Sequence, residues 1–265
     1  MVVIVMENKE YEGVIGAPQS TYLNALAARY GLASDDYAIT HPSLPNYLAL
    51  TAGSTLSIDS DCTDCHLAAT NLVDQLERAR ISWKAYLEDM PSPCFLGAGA
   101  GEYAKKHNPF AYYDDIVGNP ARCRKLVPYT QLADDLRAGA LPTFVWISPN
   151  LCDDTHDCPV GDGDRFLSGI VPSLLAELGP HGFIVITWDE GSSDSGCCRL
   201  ARGGHVATVV AGPDVRRAAR ETTPIDHYGV LATIERALGL PLLANAADPA
   251  GGSLDGLFVR APRVR

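Results

Sequence analysis

Residues 1–16 read MVVIVMENKEYEGVIG, and the first six of them are apolar. A continuous β-branched run of this kind marks a strand buried on both faces, the habit of a parallel sheet covered by helices. Such strands usually hand over to Gly, Pro or Ser. This one delivers a carboxylate, Glu7, and a carboxamide, Asn8, at its C-terminal end. Further apolar runs follow at 81–87 (ISWKAYL), 143–147 (TFVWI), 183–187 (FIVIT) and 206–212 (VATVVAG). Helical patterns alternate with them at 21–30, 71–80, 131–141, 166–179 and 228–239. Alternation of buried strands with helices predicts an α/β fold with a mostly parallel central sheet flanked by helices. No linker, repeat or low-complexity tract divides the chain, so residues 1–265 read as one domain. The aromatic, Cys-flanked stretch at about 85–130 reads as an irregular insertion over the rim of the sheet.

Composition narrows the partners. The chain has 46% hydrophobic and 20% charged residues, ordinary for a globular protein. Its formal net charge of −11 argues against nucleic acid or an anionic membrane surface as the main partner. No apolar run reaches the roughly 18–20 residues of a membrane span, so stable membrane insertion is not expected. Eight cysteines, mostly at short intervals, suggest an oxidising compartment and up to four disulfides. Cys62/Cys65, Cys152/Cys158 and Cys94/Cys123 are the expected pairs, which leaves the adjacent Cys197 and Cys198 to each other. CTDCH at 62–66 also fits a c-type haem attachment, and Cys62, Cys65, Cys197 and Cys198 could in principle hold zinc. Both lack supporting spacing elsewhere. The compartment implied is extracellular, with the secretory leader missing from this sequence.

In open α/β sheets ligands bind beyond the carboxyl ends of the strands. After the first run come Glu7 and Asn8; after TFVWI comes SPNLCDDTHDC (148–158), with Asn150, Asp153, Asp154, His156 and Asp157; after FIVIT come Asp189 and Glu190. Asp153 and Asp154 are well explained as solvated turn residues; Glu7 is not. Carboxylates gathered at one rim repel each other unless a cation joins them. Oxygen donors favour Ca²⁺, Mg²⁺ or Mn²⁺, with Zn²⁺ possible. Such an ion would let an acidic protein hold an anionic substrate. The nucleophile is sought in HPSLPNYLALTAG (41–53). Ser43 sits at a helix start, where Pro45 suits the first turn and free N–H groups favour an anion. A serine there, touching a metal, can attack phosphorus; a plain capping serine is the bland alternative.

The segments ENKEYEGVIG, HPSLPNYLALTAG, SPNLCDDTHDC and VITWDEG, in this order, resemble the phosphoesterase family of acid phosphatases and bacterial phospholipases C, within the alkaline phosphatase superfamily. That resemblance implies one divalent metal held by Glu7, Asn8, Ser43, Asp189 and Glu190, with Ser43 as nucleophile and His156 as general acid. His41, Asn46 and His205 are the candidates for contacting phosphate. His227 matches a family histidine and implies a supporting or capping role. His107, beside Lys105 and Lys106, could face a leaving group or belong to a packed loop. The phospholipase branch carries Arg-Ser-Phe-Asp after its Glu-Asn pair, Thr-x-Pro-Asn-Arg at the nucleophile and a histidine after the second acidic pair. This chain has Lys9-Glu10-Tyr11-Glu12, Ser43-Leu44-Pro45-Asn46-Tyr47 and Gly191. These departures favour an acid phosphatase cleaving small phosphomonoesters through a phosphoserine. The rivals are a phospholipase C-type phosphodiesterase and a non-catalytic secreted binding protein. The oligomeric state is left open.

Overall fold

The computed structural model describes residues 1–264. A nine-stranded sheet runs through it. Its strands are β1 (Val2–Met6), β2 (Gly31–Tyr37), β3 (Trp83–Leu87), β4 (Leu126–Pro128), β5 (Phe144–Ser148), β6 (Ile184–Trp188), β7 (His205–Ala211), β8 (Ala219–Glu221) and β9 (Ile225–Asp226). The spatial order is β8-β2-β7-β6-β1-β5-β3-β4, with β9 also paired to β2. β6, β1, β5, β3 and β4 are mutually parallel. β7 runs against both β6 and β2.

β1 lies at the centre because all five of its residues are buried on one face or the other. Val3 and Val5 belong to the core under helices α3 (Ser43–Ala52), α4 (Leu72–Arg78) and α9 (His227–Leu238). Val2, Ile4 and Met6 belong to the opposite core, under α2 (Thr21–Arg29), α7 (Thr130–Arg137) and α8 (Val160–Glu177). Each such side chain contributes about 1.5–3 kcal/mol by leaving water. Side chains alternate across a strand, so a strand covered on both faces must be apolar throughout.

The sheet departs from the sequence reading in three places. β2, GLASDDY, carries two acids and no β-branched run, so its composition hides it; pairing with β7 on one side and β8 and β9 on the other makes it a strand. α8 begins six residues before the expected Phe166, across Gly161 and Gly163. Gly163 is there because the loop after β5 lies against it: a Cβ would meet Thr155 Cγ2 at 2.4 Å and Met6 Cε at 2.8 Å. Within 85–130, the stretch expected to be irregular supplies β4 to the sheet edge and two short helices, α5 (Asp114–Val117) and α6 (Pro120–Cys123); the chain's first helix, α1 (Tyr11–Val14), is equally short. The four expected disulfides, Cys62–Cys65, Cys94–Cys123, Cys152–Cys158 and Cys197–Cys198, are all formed, so neither a haem attachment nor a Cys₄ zinc site has thiolates to use. No helix among the described residues is long and apolar enough to cross a membrane.

Candidate active site

The parallel block sends the ends of β1, β5 and β6 to one rim. The reversed β7 starts there with His205, and β2 leads there into the 38–43 segment. Glu7 is fixed first through its backbone. Its N–H donates to the Asp154 carbonyl at 2.7 Å, and its own carbonyl accepts from Thr155 Oγ1 at 2.7 Å. Asn8 adopts a left-handed φ of 52°, which Asn tolerates better than most residues, and its N–H donates to Asp189 Oδ1 at 3.1 Å. The end of β1 is thereby tied to the loops after β5 and β6.

Ser43 is the first residue of α3, and its side chain does not cap the helix. Asp61 does that work instead, accepting Leu44 N–H at 2.9 Å. Ser43 Oγ is left to approach Glu7 Oε2 at 3.1 Å and Glu190 Oε1 at 3.2 Å. One turn along α3, the fully buried Tyr47 donates its hydroxyl to Glu7 Oε1. His41 Nδ1 meets the other Glu190 oxygen while its Nε2 lies 3.0 Å from the Ser193 carbonyl.

His107, reaching in from the 85–130 segment, completes the cluster. Its Nε2 lies 3.2 Å from Glu7 Oε2 and its Nδ1 3.0 Å from Asp154 Oδ2, and its ring stacks on Tyr47 at 5.6 Å. Asp154 is fully buried, which corrects its reading as a solvated turn residue: the turn folds its carboxyl inward, and its Oδ1 accepts His156 N–H at 2.7 Å. Among the described residues, ligand atoms of Glu7, His107 and Asp154 all lie within 4.8 Å of one another. Outside this group, Lys106 Nζ sits 3.0 Å from Asp61 Oδ2 and 3.1 Å from His156 Nε2. An ammonium only donates, so His156 Nε2 accepts, and its Nδ1 carries the proton to Asp157 Oδ1 at 2.6 Å.

Two expected phosphate contacts come out differently. Both donors of Asn46 are taken by the carbonyls of Thr40 (2.7 Å) and Pro42 (3.2 Å), and its oxygen accepts from Ile39 and Thr40 N–H. The carboxamide is saturated and buried; it shapes the turn that presents His41 and Ser43 and has nothing left for a substrate. His205 is stacked between Tyr11 (4.5 Å) and Tyr37 (5.1 Å), and its Nε2 lies 3.0 Å from the Ser34 carbonyl. That ring packs β7 against its neighbours. His227 Nε2, 2.6 Å from the Asp189 carbonyl, braces the end of β6. Gly191 leaves no room for the histidine of the phospholipase branch, since even a Cβ would meet Glu10 Oε1 at 2.6 Å. Glu10 Oε1 holds the same loop by accepting Ser192 and Ser193 N–H at 3.0 and 2.8 Å.

The electrostatics ask for a cation. Burial raises Glu7 well above the carboxylate range, with Asp189 and Asp154 adding repulsion. Burial also lifts Asp154 to about 9, and burial with the charge of Glu190 lifts Asp189 to about 7. Glu190 rises through burial, against the pull of His41 and Ser43. Burial lowers His107 far below its usual value, so its imidazole is neutral and offers a lone pair instead of a counter-charge. Asp189 Oδ2, Asp154 Oδ2 and His107 Nε2 are buried without a hydrogen-bond partner among the described residues. Orphaned buried acceptors around crowded carboxyls are a poor protein interior but a suitable cation cage. The oxygen-rich donor set fits a hard divalent ion, and His107 extends it toward Mn²⁺ or Zn²⁺.

Known proteins with related sequences and folds identify the family. The profile of the phosphoesterase family matches residues 17–241. The chain is 32% identical to a phosphatidylinositol-3-phosphatase of Mycobacterium tuberculosis, covering 94% of this chain and 79% of that protein. It is 30% identical to an acid phosphatase of Aspergillus fumigatus, covering 90% of this chain and 54% of that one. It therefore spans little more than half the length of that fungal relative. Among solved structures, the lipoteichoic acid synthase LtaP of Listeria monocytogenes superposes with a TM-score of 0.64 at 9% identity, covering 95% of this chain and 75% of that one. An alkaline phosphatase superfamily protein of Vibrio parahaemolyticus gives a TM-score of 0.61 at 12% identity, covering 97% and 71%. At these identities the likeness is one of fold. With its α/β sheet of the alkaline phosphatase type, the chain belongs to the phosphoesterase family, hydrolases acting on phosphate esters.

Proposed function

We propose that this protein is a metal-dependent phosphomonoesterase of the acid phosphatase type that works through a phosphoserine at Ser43, on small phosphorylated substrates outside the cell. The observation that carries this reading is Ser43 Oγ, at the start of α3 and free of capping duty, lying between Glu7 and Glu190. The relatives named acid phosphatase and phosphatidylinositol-3-phosphatase support a monoester as substrate. The four disulfides are consistent with an extracellular site of action.

Glu7, Asn8, Asp189 and Glu190, with Ser43, would hold the divalent ion; His107 and Asp154 lie close enough to share Glu7 with it. Bound there, the ion supplies Lewis acidity toward a phosphoryl oxygen and favours the ionised serine. The chain's own groups do the rest. Ser43 Oγ attacks phosphorus as its proton passes to Glu190 Oε1, while His41 Nδ1 holds the other oxygen of that carboxyl. Burial opposes charge on His41, but the Ser193 carbonyl and Glu190 outweigh it and raise its pKa, so the pair retains a proton. The N-terminal turn of α3 adds its dipole at the phosphoryl group. His156, the expected general acid, accepts from Lys106 through Nε2 here, so it protonates the departing oxygen only once Nε2 has left that contact and taken up a proton; water then releases phosphate from Ser43.

The test is Ser43→Ala assayed on p-nitrophenyl phosphate with metal supplied. Activity should drop below about a hundredth of wild type, a barrier increase of about 2.7 kcal/mol or more. The fold should persist because the serine caps nothing, and most of the bound metal because Glu7, Asn8, Asp189 and Glu190 remain to hold it. A variant that retains more activity than that removes Ser43 as nucleophile.

A further inference from the structure

We infer that Lys106 is the charge-reading residue of the site, the fixed cation that recognises a dianionic phosphate and so favours monoesters over diesters. This rests on the phosphoesterase reading of Ser43 and goes beyond it, since nothing so far assigns the source of substrate preference. Three consecutive cationic candidates, Lys105, Lys106 and His107, stand in the 85–130 segment, and the fold gives each a different task. Lys105 Nζ is turned away, donating to the Thr63 carbonyl at 2.7 Å and lying 4.7 Å from the centre of the Tyr112 ring. His107 is neutral and buried, its ring nitrogens facing Glu7 and Asp154. Lys106 is the one aimed at the rim.

Two independent tethers set its position. Asp61 holds Lys106 Nζ with one oxygen at 3.0 Å and the Leu44 N–H with the other at 2.9 Å, so one carboxylate ties the ammonium to the residue after the nucleophile. On the other side Nζ contacts His156 Nε2 at 3.1 Å, and the His156 ring stands 5.6 Å from His107, which touches Glu7. The side chain of Lys106 keeps 22% of its exposure, enough to be met by a solute. Its partners leave it incompletely neutralised: Asp61 also serves a backbone donor, and His156 brings a lone pair. The groups that Ser43 Oγ touches are the carboxyls of Glu7 and Glu190, which repel a phosphate; of the other cations at the rim, Lys9 Nζ is spent on the Thr155 carbonyl and His41 on Glu190. A divalent ion offsets part of that repulsion for any phosphate ester. The second negative charge of a monoester needs a further cation, which Lys106 supplies as a point charge on a flexible stem.

The experiment compares Lys106→Gln and Lys106→Arg with wild type, metal supplied, at a pH where the monoester is dianionic. For p-nitrophenyl phosphate, kcat/KM of Lys106→Gln should fall at least about tenfold, and for bis-p-nitrophenyl phosphate less than about threefold. Lys106→Arg should recover most of the monoester loss. In parallel, isothermal titration with inorganic phosphate should show the same tenfold weakening in Lys106→Gln, with urea midpoints reporting that the fold is intact. Equal losses on both esters, or no loss on either, overturn the inference. So does phosphate binding that is absent in wild type or unchanged in the variant. If wild type hydrolyses neither ester yet Lys106→Gln weakens phosphate, the catalytic reading falls and the charge-reading role stands.

Discussion

Replacing Tyr47 with Phe isolates one hydrogen bond of the site. The ring stays, so its packing against His107 and Trp146 is kept and no cavity opens. What disappears is the hydroxyl that Glu7 Oε1 accepts, and Glu7 is fully buried with Ser43 Oγ already hydrogen-bonded to its other oxygen. A hydrogen bond to a charged group contributes about 1.5–3 kcal/mol, and one to a neutral group about 0.5–1.5 kcal/mol. The two cases are separable here. With a divalent ion supplied Glu7 is ionised, and the variant should lose about 1.5–3 kcal/mol. With the ion chelated, burial keeps a proton on Glu7, and the loss should shrink toward about 1 kcal/mol. Urea unfolding of both proteins under both conditions reads the difference as a shift in midpoint at unchanged slope. Tyr47 also opposes the burial that raises Glu7, so the variant should need more metal to reach full phosphatase activity. A loss below about 0.5 kcal/mol in both conditions would refute the argument, because Glu7 Oε1 would then have another partner, such as water.

Asp36 lies in the irregular part of β2, fully buried, and burial raises its pKa to about 7. The folded chain therefore holds a proton there that the unfolded chain releases. Its stabilisation is complete below about pH 4, declines as pH rises from there to about 7, and is gone above. Asp36→Asn should remove that slope, gaining on wild type by up to about 4 kcal/mol between pH 4 and 8 in urea midpoints; parallel profiles would sink the idea. The Cys94–Cys123 bridge closes a sequence separation of 29 residues around Lys106 and His107. Replacing both cysteines with Ala should cost about 3–4 kcal/mol. It should lower phosphatase activity more than loss of Cys62–Cys65, whose ring spans a separation of 3; an equal effect would show that the long loop is held by packing alone.

The α/β class was legible from the opening stretch onward because burial on both faces forces a continuous apolar run, a local pattern visible without coordinates. The acids at the ends of β1 and β6 and the serine at the start of α3 were legible for a similar reason: polar groups placed where apolar strands stop need an explanation in any fold of this class. β2 was not, since a strand made by its neighbours' hydrogen bonds can be written in Gly, Ser and Asp. The roles of the rim side chains were decided by tertiary structure. Asp154 and Asp153 are adjacent and chemically identical, yet only Asp154 turns inward to His107. Asn46 and His205 looked suited to phosphate until their partners were fixed by backbone groups around them. Lys106 meets His156 across fifty residues of chain and Asp61 across forty-five. Sequence determines which groups an element can offer. Which of them face one another depends on how far-separated loops close over the rim, and that is a property of packing that no local pattern encodes.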